Sequence, residues 1–146
     1  MNIYYFVPQN DRPSWGVGMI YYHVWLLKKN GFSAYILYEK FPFRISWLDL
    51  DISIKYLDQK KIQISENDII VIPEICADNE QLQKFKCKKI VFVQNAFYIY
   101  EGLKTRETYE SLGISYIFYY MPHLEKILKN ITNIPLFETP PFIAPY

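Results

Sequence analysis

Apolar residues along this chain gather in short runs separated by amphipathic stretches. Ile3 to Val7 is one such run and predicts a strand buried on both faces. From Val17 the period lengthens, and Val17, Ile20, Tyr21, Val24 and Leu27 recur at helical spacing. Lys28, Lys29 and Asn30 polarise the last turn before Gly31, a pattern that stops a helix. Ser33 to Tyr38, "SAYILY", predicts the second strand. Strand, helix and strand in succession form a βαβ unit, for which a right-handed crossover is expected.

Residues 40–61 mix aromatics, Pro42 and partial alternation, and predict a loop with one short strand. Regular punctuation then returns. "DIIVIPE" (68–74) predicts a strand, Asp78 a cap for a helix through Phe85, and Lys88 to Asn95 a further strand. The basic run "KFKCKK" between them reads as the solvated end of that helix and its turn. A helix is expected over Lys104 to Leu112, stopping at Gly113, and a strand over "ISYIFYY". Pro122 opens a helix through Asn130 at its favoured first position, and "IPLF" (134–137) ends the series. This alternation predicts an α/β fold, a Rossmann-like doubly wound parallel sheet in a single domain over residues 1–138. Residues 139–146 include three prolines, which lack backbone donors, and read as the start of an interdomain linker.

Composition narrows the function classes. The chain has 146 residues, 51% of them hydrophobic, which suits one globular domain and excludes a disordered one. Sixteen basic and fifteen acidic residues give a net charge of +1, so no electrostatic argument for nucleic acid follows. Cys76 and Cys87 lack metal-ligand spacing and read as reduced thiols. The N-terminus enters a strand directly, with no basic leader, and no run is apolar enough to span a bilayer. A cytoplasmic location is the expectation, and the sequon at Asn130 reads as a chance match. Fourteen Tyr, ten Phe and three Trp allow ring stacking on a ligand but equally fill cores.

Three candidates carry chemistry. The first is the turn "PQNDRPSWGVG". Gly16 and Gly18 supply two glycines of a dinucleotide fingerprint, but Tyr21 occupies the third position and eight residues separate the strand from Gly16. Glu39, at the end of the second strand, sits where a ribose-binding acid would lie, yet the loop spacing argues against NAD. A helix start with glycines can still receive an anion; alternatively the glycines only shape a loop that lets Trp15 fold over the sheet edge. The second candidate is the pair of strand ends carrying Glu74, Gln94 and Asn95, whose carboxylate and amides suit hydroxyl-rich ligands. Capping of strand ends explains the same residues equally well. Third, His23 falls off the apolar stripe of its helix and His123 opens a later one. Neither has a recognisable catalytic partner, and no metal cluster is expected.

Taken together, the segments resemble the N-terminal half of bacterial family 4 glycosyltransferases of two-domain GT-B architecture. The similarity lies in the first strand, the Gly16-Val17-Gly18 turn, "LLKKNGFSAYIL", "DIIVIPE" followed by "KKIVFVQNAFY", "ISYIFYYMPHLEKILKN", and "PLFETPPFIAPY", which is similar to the family's passage into its second domain. Phe32 departs from the His common after that glycine. The resemblance implies an acceptor-side domain that helps transfer a sugar from a nucleotide-sugar to a hydroxyl in glycan or polysaccharide synthesis. It implies no cofactor, a nucleotide-sugar donor held mainly by a C-terminal donor-binding domain outside this sequence, and a glycan or lipid-linked acceptor. A peripheral contact with the inner face of the membrane stays open. Gln9, Asn10, Arg12, Trp15, Gly16, Gly18, Glu74, Gln94, Asn95 and Tyr98 are the expected substrate-binding surface. Gly16 and Gly18 leave room for donor and acceptor to meet, Arg12 supplies charge near donor phosphates, and Trp15 and Tyr98 offer faces to a sugar ring. The family is retaining, which requires no dedicated base on this domain. The alternatives are a non-enzymatic α/β binding module and a small nucleotide-binding, flavodoxin-like protein.

Overall fold

The computed structural model of the chain describes residues 1–60, 62–104 and 107–139. Its strands are β1 (Ile3–Phe6), β2 (Ala34–Tyr38), β3 (Ser53–Tyr56), β4 (Ile69–Pro73), β5 (Lys88–Val93), β6 (Tyr116–Tyr119) and β7 (Leu136–Glu138). Between them lie α1 (Trp15–Lys29), α2 (Glu80–Gln83), α3 (Ala96–Gly102) and α4 (Pro122–Ile131), with a 3-10 turn over Glu74–Cys76. The strands make one sheet in the order β3-β2-β1-β4-β5-β6-β7, every neighbouring pair parallel. The α/β expectation therefore holds. Strand order reverses between β1 and β4, and in open parallel sheets the crevice for a ligand opens at the carboxyl ends beside such a reversal.

The pleat sends alternate residues to opposite faces. Tyr5, Val71 and Phe92 pack on one face with Met19, Ile20, Tyr21 and Val24 of α1. On the other face Tyr4, Phe6, Ile70 and Ile72 meet Leu82 of α2. Farther along that face Val91, Val93 and Ile117 meet Ile99 of α3 and Leu124 and Leu128 of α4. Each such side chain contributes about 1.5–3 kcal/mol when fully buried, so these two layers hold the sheet. Asp68 fixes its register at the amino edge. The carboxylate, 3% exposed, accepts from the backbone N–H of Asn2 at 2.7 Å and of Ser65 at 2.8 Å. Burial alone would raise its pKa, but these backbone bonds outweigh burial and lower it.

Most element boundaries follow the sequence. α1 begins after Ser14, whose hydroxyl faces Val17 N–H at 3.4 Å, and ends at Gly31, which takes φ +84. Residues 40–60 are irregular apart from β3. Three expectations need correction. Asn79, not Asp78, caps α2, accepting from the N–H groups of Gln81 and Leu82; Asp78 pairs instead with Lys104 at 2.6 Å. The helix expected over 104–112 is absent from its described residues. Thr108 and Ser111 exchange side-chain bonds with each other's backbone there, a local alternative that competes with helix. Residues 105 and 106 lie outside the described residues, as do 140–146 of the expected linker. The helix forms earlier, as α3. Lys89, read as solvated, is buried and donates to the Phe85 carbonyl at 2.6 Å.

α3 rests directly on the turn after β4. A Cβ on Gly102 would lie 1.7 Å from the Glu74 carbonyl oxygen and 2.8 Å from its carbonyl carbon. Only glycine lets the two backbones approach so closely. Gly102→Ala is therefore expected to destabilise the fold by roughly 3 kcal/mol in urea denaturation. At Gly18 a Cβ would meet only Trp47, at 4.0 Å. Gly18→Ala should leave stability unchanged or raise it by up to about 1 kcal/mol, the helix preference for alanine. Similar losses at both positions would refute this account of Gly102.

Candidate functional site

The chain leaves β1, β4, β5 and β6 at one edge of the sheet, and a cleft of about 320 Å³ opens there. Pro8 and Ser14 line it from the β1 loop, and Trp15, Gly16, Val17 and Ile20 from α1. Pro73, Glu74 and Ile75 follow β4, Gln94, Asn95 and Tyr98 follow β5, and Tyr120 follows β6. Side chains of the strand ends stitch this rim together. Glu74 Oε1 accepts from Gln94 N–H at 3.0 Å and from Asn95 N–H at 2.7 Å. Gln94 Nε2 donates to the Gly16 carbonyl at 3.0 Å, tying β5 to α1. Asn95 Oδ1 accepts from Phe97 N–H at 3.0 Å and so caps α3.

Glu74 is 2% exposed, and burial pushes its carboxyl up from 4.5 to about 7 despite the two backbone bonds. The nearby phenols of Tyr109 and Tyr120 and the Cys76 thiol are uncharged at that pH. Burial raises the phenols of Tyr109 and Tyr120, with Glu74 adding to both. The Cys76 thiol is pushed up to about 12 by burial and by the carboxylates of Asp78, Glu74 and Glu39. The Tyr109 hydroxyl is buried without a hydrogen-bond partner among the described residues.

Of the ten residues expected at the site, the cleft gathers Trp15, Gly16, Glu74, Gln94, Asn95 and Tyr98. The other four do not line it. Gln9 bridges to the next loop, donating to the Lys40 carbonyl at 3.0 Å and accepting from Lys40 N–H at 2.8 Å. Asn10 accepts from Arg12 N–H at 3.1 Å, a local turn that leaves Arg12 exposed. Gly18 is buried on the Trp47 side of α1. Within the cleft, Trp15 folds onto Tyr120, ring centroids 5.0 Å apart. The capping reading of the strand ends holds, since Glu74 and Asn95 accept from backbone N–H groups, and both residues also line the cleft.

Outside the cleft, Glu39 accepts from Gln81 at 3.1 Å, and His123 is exposed. His23 lies on the sheet side of α1, not off it. Its ring stacks on Phe92 at 5.1 Å and meets the edge of Tyr5, and burial lowers its pKa. Tyr120 and Ile75 were missed, although Tyr120 ends a strand just as Asn95 does.

Comparison with protein-family models, curated proteins and solved structures yields no match. Among the described residues no cluster of His, Cys, Asp and Glu is placed to hold a metal ion. No helix among them is long and apolar enough to cross a membrane. What the cleft offers chemically is flat aromatic faces, directional amides and one buried carboxyl that titrates near neutrality.

That carboxyl makes stability depend on pH in a definite sense. Below 4.5 folded and unfolded chains both hold the proton, and between 4.5 and about 7 only the folded chain does. The Glu74 contribution to stability therefore falls as pH rises through this window and is fully lost above it. Glu74→Gln keeps the acceptor oxygen but cannot ionise. In urea denaturation the variant should match wild type near pH 4 and exceed it by about 3 kcal/mol at pH 8. A pH-independent difference would show that Glu74 does not titrate in this range.

Proposed function

We propose that this chain is the acceptor-side domain of a GT-B glycosyltransferase. In this reading the cleft holds a hydroxyl of a glycan or lipid-linked acceptor, and a C-terminal donor-binding domain presents the nucleotide-sugar. The observation that carries it is the make-up of the cleft at the point of strand reversal. Trp15, Tyr98 and Tyr120 supply apolar ring faces, as pyranose rings require, while Gln94 and Ser14 supply directional polar groups without net charge. A volume of about 320 Å³ suits one or two sugar units. Recognition of a nucleotide diphosphate would need cations, and among the described residues no Lys or Arg lines the cleft. The protein would then work in the cytoplasm, at the inner face of the membrane where its acceptor is lipid-linked.

The test is a calorimetric titration of the chain against two panels. Neutral oligosaccharides are expected to bind, and Trp15→Ala to weaken them about tenfold, the loss of about 1.4 kcal/mol of ring contact. UDP- and GDP-sugars are expected to show nothing tighter than about millimolar. A micromolar constant for a nucleotide would favour the small nucleotide-binding protein, and oligosaccharide binding untouched by Trp15→Ala would remove the cleft from recognition.

A further inference from the structure

The outer surface of α3 is aromatic, where the solvent-facing side of a helix is ordinarily polar. Of its seven residues Ile99 and Gly102 are buried, whereas Phe97, Tyr98 and Tyr100 are 80%, 41% and 64% exposed. Glu101 is its one charge. Phe97 and Tyr100, three residues apart, are neighbours on the helix surface, with Cβ atoms about 5–6 Å apart. The patch is continuous with the cleft. Tyr98 belongs to both, and Ile75, on the turn against which α3 rests, lines the cleft beside it and is itself 39% exposed. A ligand that fills the cleft therefore meets further ring faces as it leaves.

Charge and area decide what such a patch receives. An anionic bilayer surface is held by Lys and Arg beside the rings, but α3 carries neither, and Lys104 just beyond it is paired with Asp78 at 2.6 Å. A second copy of the chain would need about 800 Å² on each partner, and rings exposed to this degree offer roughly 400 Å². A sugar chain needs neither cations nor so large an area. Its C–H faces stack on rings while its hydroxyls stay in water, and the phenols of Tyr98 and Tyr100 add polar contacts. We propose that α3 is a second sugar-binding subsite, on which a neutral glycan chain leaving the cleft lays its next units across Phe97 and Tyr100. This rests on the acceptor-side reading above and narrows it: the acceptor is a chain of several units, its end in the cleft and the units behind it on α3. Glu101 beside the rings disfavours acidic sugars. Once the end of the chain is seated, the contact with α3 is intramolecular and adds affinity without a second association cost.

The experiment titrates the chain calorimetrically with linear glucose, galactose and mannose oligosaccharides, from disaccharide to hexasaccharide. Expected is an affinity about tenfold higher for the hexasaccharide than for the disaccharide of the sugar that binds. Combining Phe97→Ser with Tyr100→Ser should remove that gain and leave disaccharide affinity and the urea midpoint unchanged, because both side chains are exposed. Equal affinity at every length, or a double variant that keeps the whole gain, would overturn the subsite while leaving the cleft reading standing. Binding at no length would overturn the acceptor reading, and the subsite with it. Phosphatidylcholine–phosphatidylglycerol vesicles that sediment wild type but not the double variant, with no gain from chain length, would assign α3 to a membrane surface and overturn the proposal. Should the double variant fail to fold, the ring-proton NMR shifts of Phe97 and Tyr100 in the wild-type chain decide. Rings moved by hexasaccharide and not by disaccharide support the subsite, and rings moved by neither overturn it.

Discussion

One carboxyl oxygen organises the cleft edge of this molecule. By accepting the N–H groups of both Gln94 and Asn95, Glu74 Oε1 joins the end of β4 to the end of β5 across the central part of the sheet. Everything beyond depends on that join. The Asn95 side chain is then set to start α3, Gly102 of α3 closes onto the Glu74 backbone, and the Gln94 side chain reaches α1. A buried polar group is expensive unless bonded. Here the same bonds that satisfy three strand-end groups also shape a cleft, so scaffold and cleft are not separable residue by residue.

The loops above β1 and β2 follow a different logic. Gln9 exchanges two hydrogen bonds with the Lys40 backbone, and Asp11 accepts from the Ser46 N–H and hydroxyl at 2.6 and 2.8 Å. Polar residues that look available for a ligand are thus spent on holding one loop to another. Beneath them, Tyr21 and Tyr38 join hydroxyls at 2.6 Å inside the core, which lets two bulky phenols be buried without an unpaired oxygen.

How legible this was depended on how local the cause is. The strands, α1 and its stop at Gly31 were readable because apolar period and terminal chemistry act within a few residues. Most of the cleft followed from one rule, that parallel strands deliver their carboxyl ends to one edge. The failures share a non-local or competing cause. "NAFYIYEG" carries no helical stripe in sequence; it becomes α3 because Asn95 caps it and Gly102 finds a backbone to rest on. Thr108 and Ser111 lie in a segment of good helix formers but satisfy each other first. Gln9, Asn10 and Arg12 belong to the right loop, but a cross-link to the next loop engages Gln9 and a local turn engages Asn10 with the Arg12 backbone, away from the cleft. His23 is polar by name, yet an aromatic sheet face accepts its ring.

The margins of the sheet carry a consequence for life in a crowded solution. A parallel sheet that is open at both sides presents rows of unpaired amides on which a foreign strand can grow. Here one margin is β7, three residues long, and the other is β3, four residues long, with Lys55 projecting and its ammonium set over the Tyr35 ring at 5.3 Å. So brief a template supports few intermolecular hydrogen bonds, and an incoming chain would have to displace or desolvate a cation to use it. A protein this rich in aromatic and β-branched residues thereby keeps its most adhesive segments in the middle of the sheet, away from its neighbours.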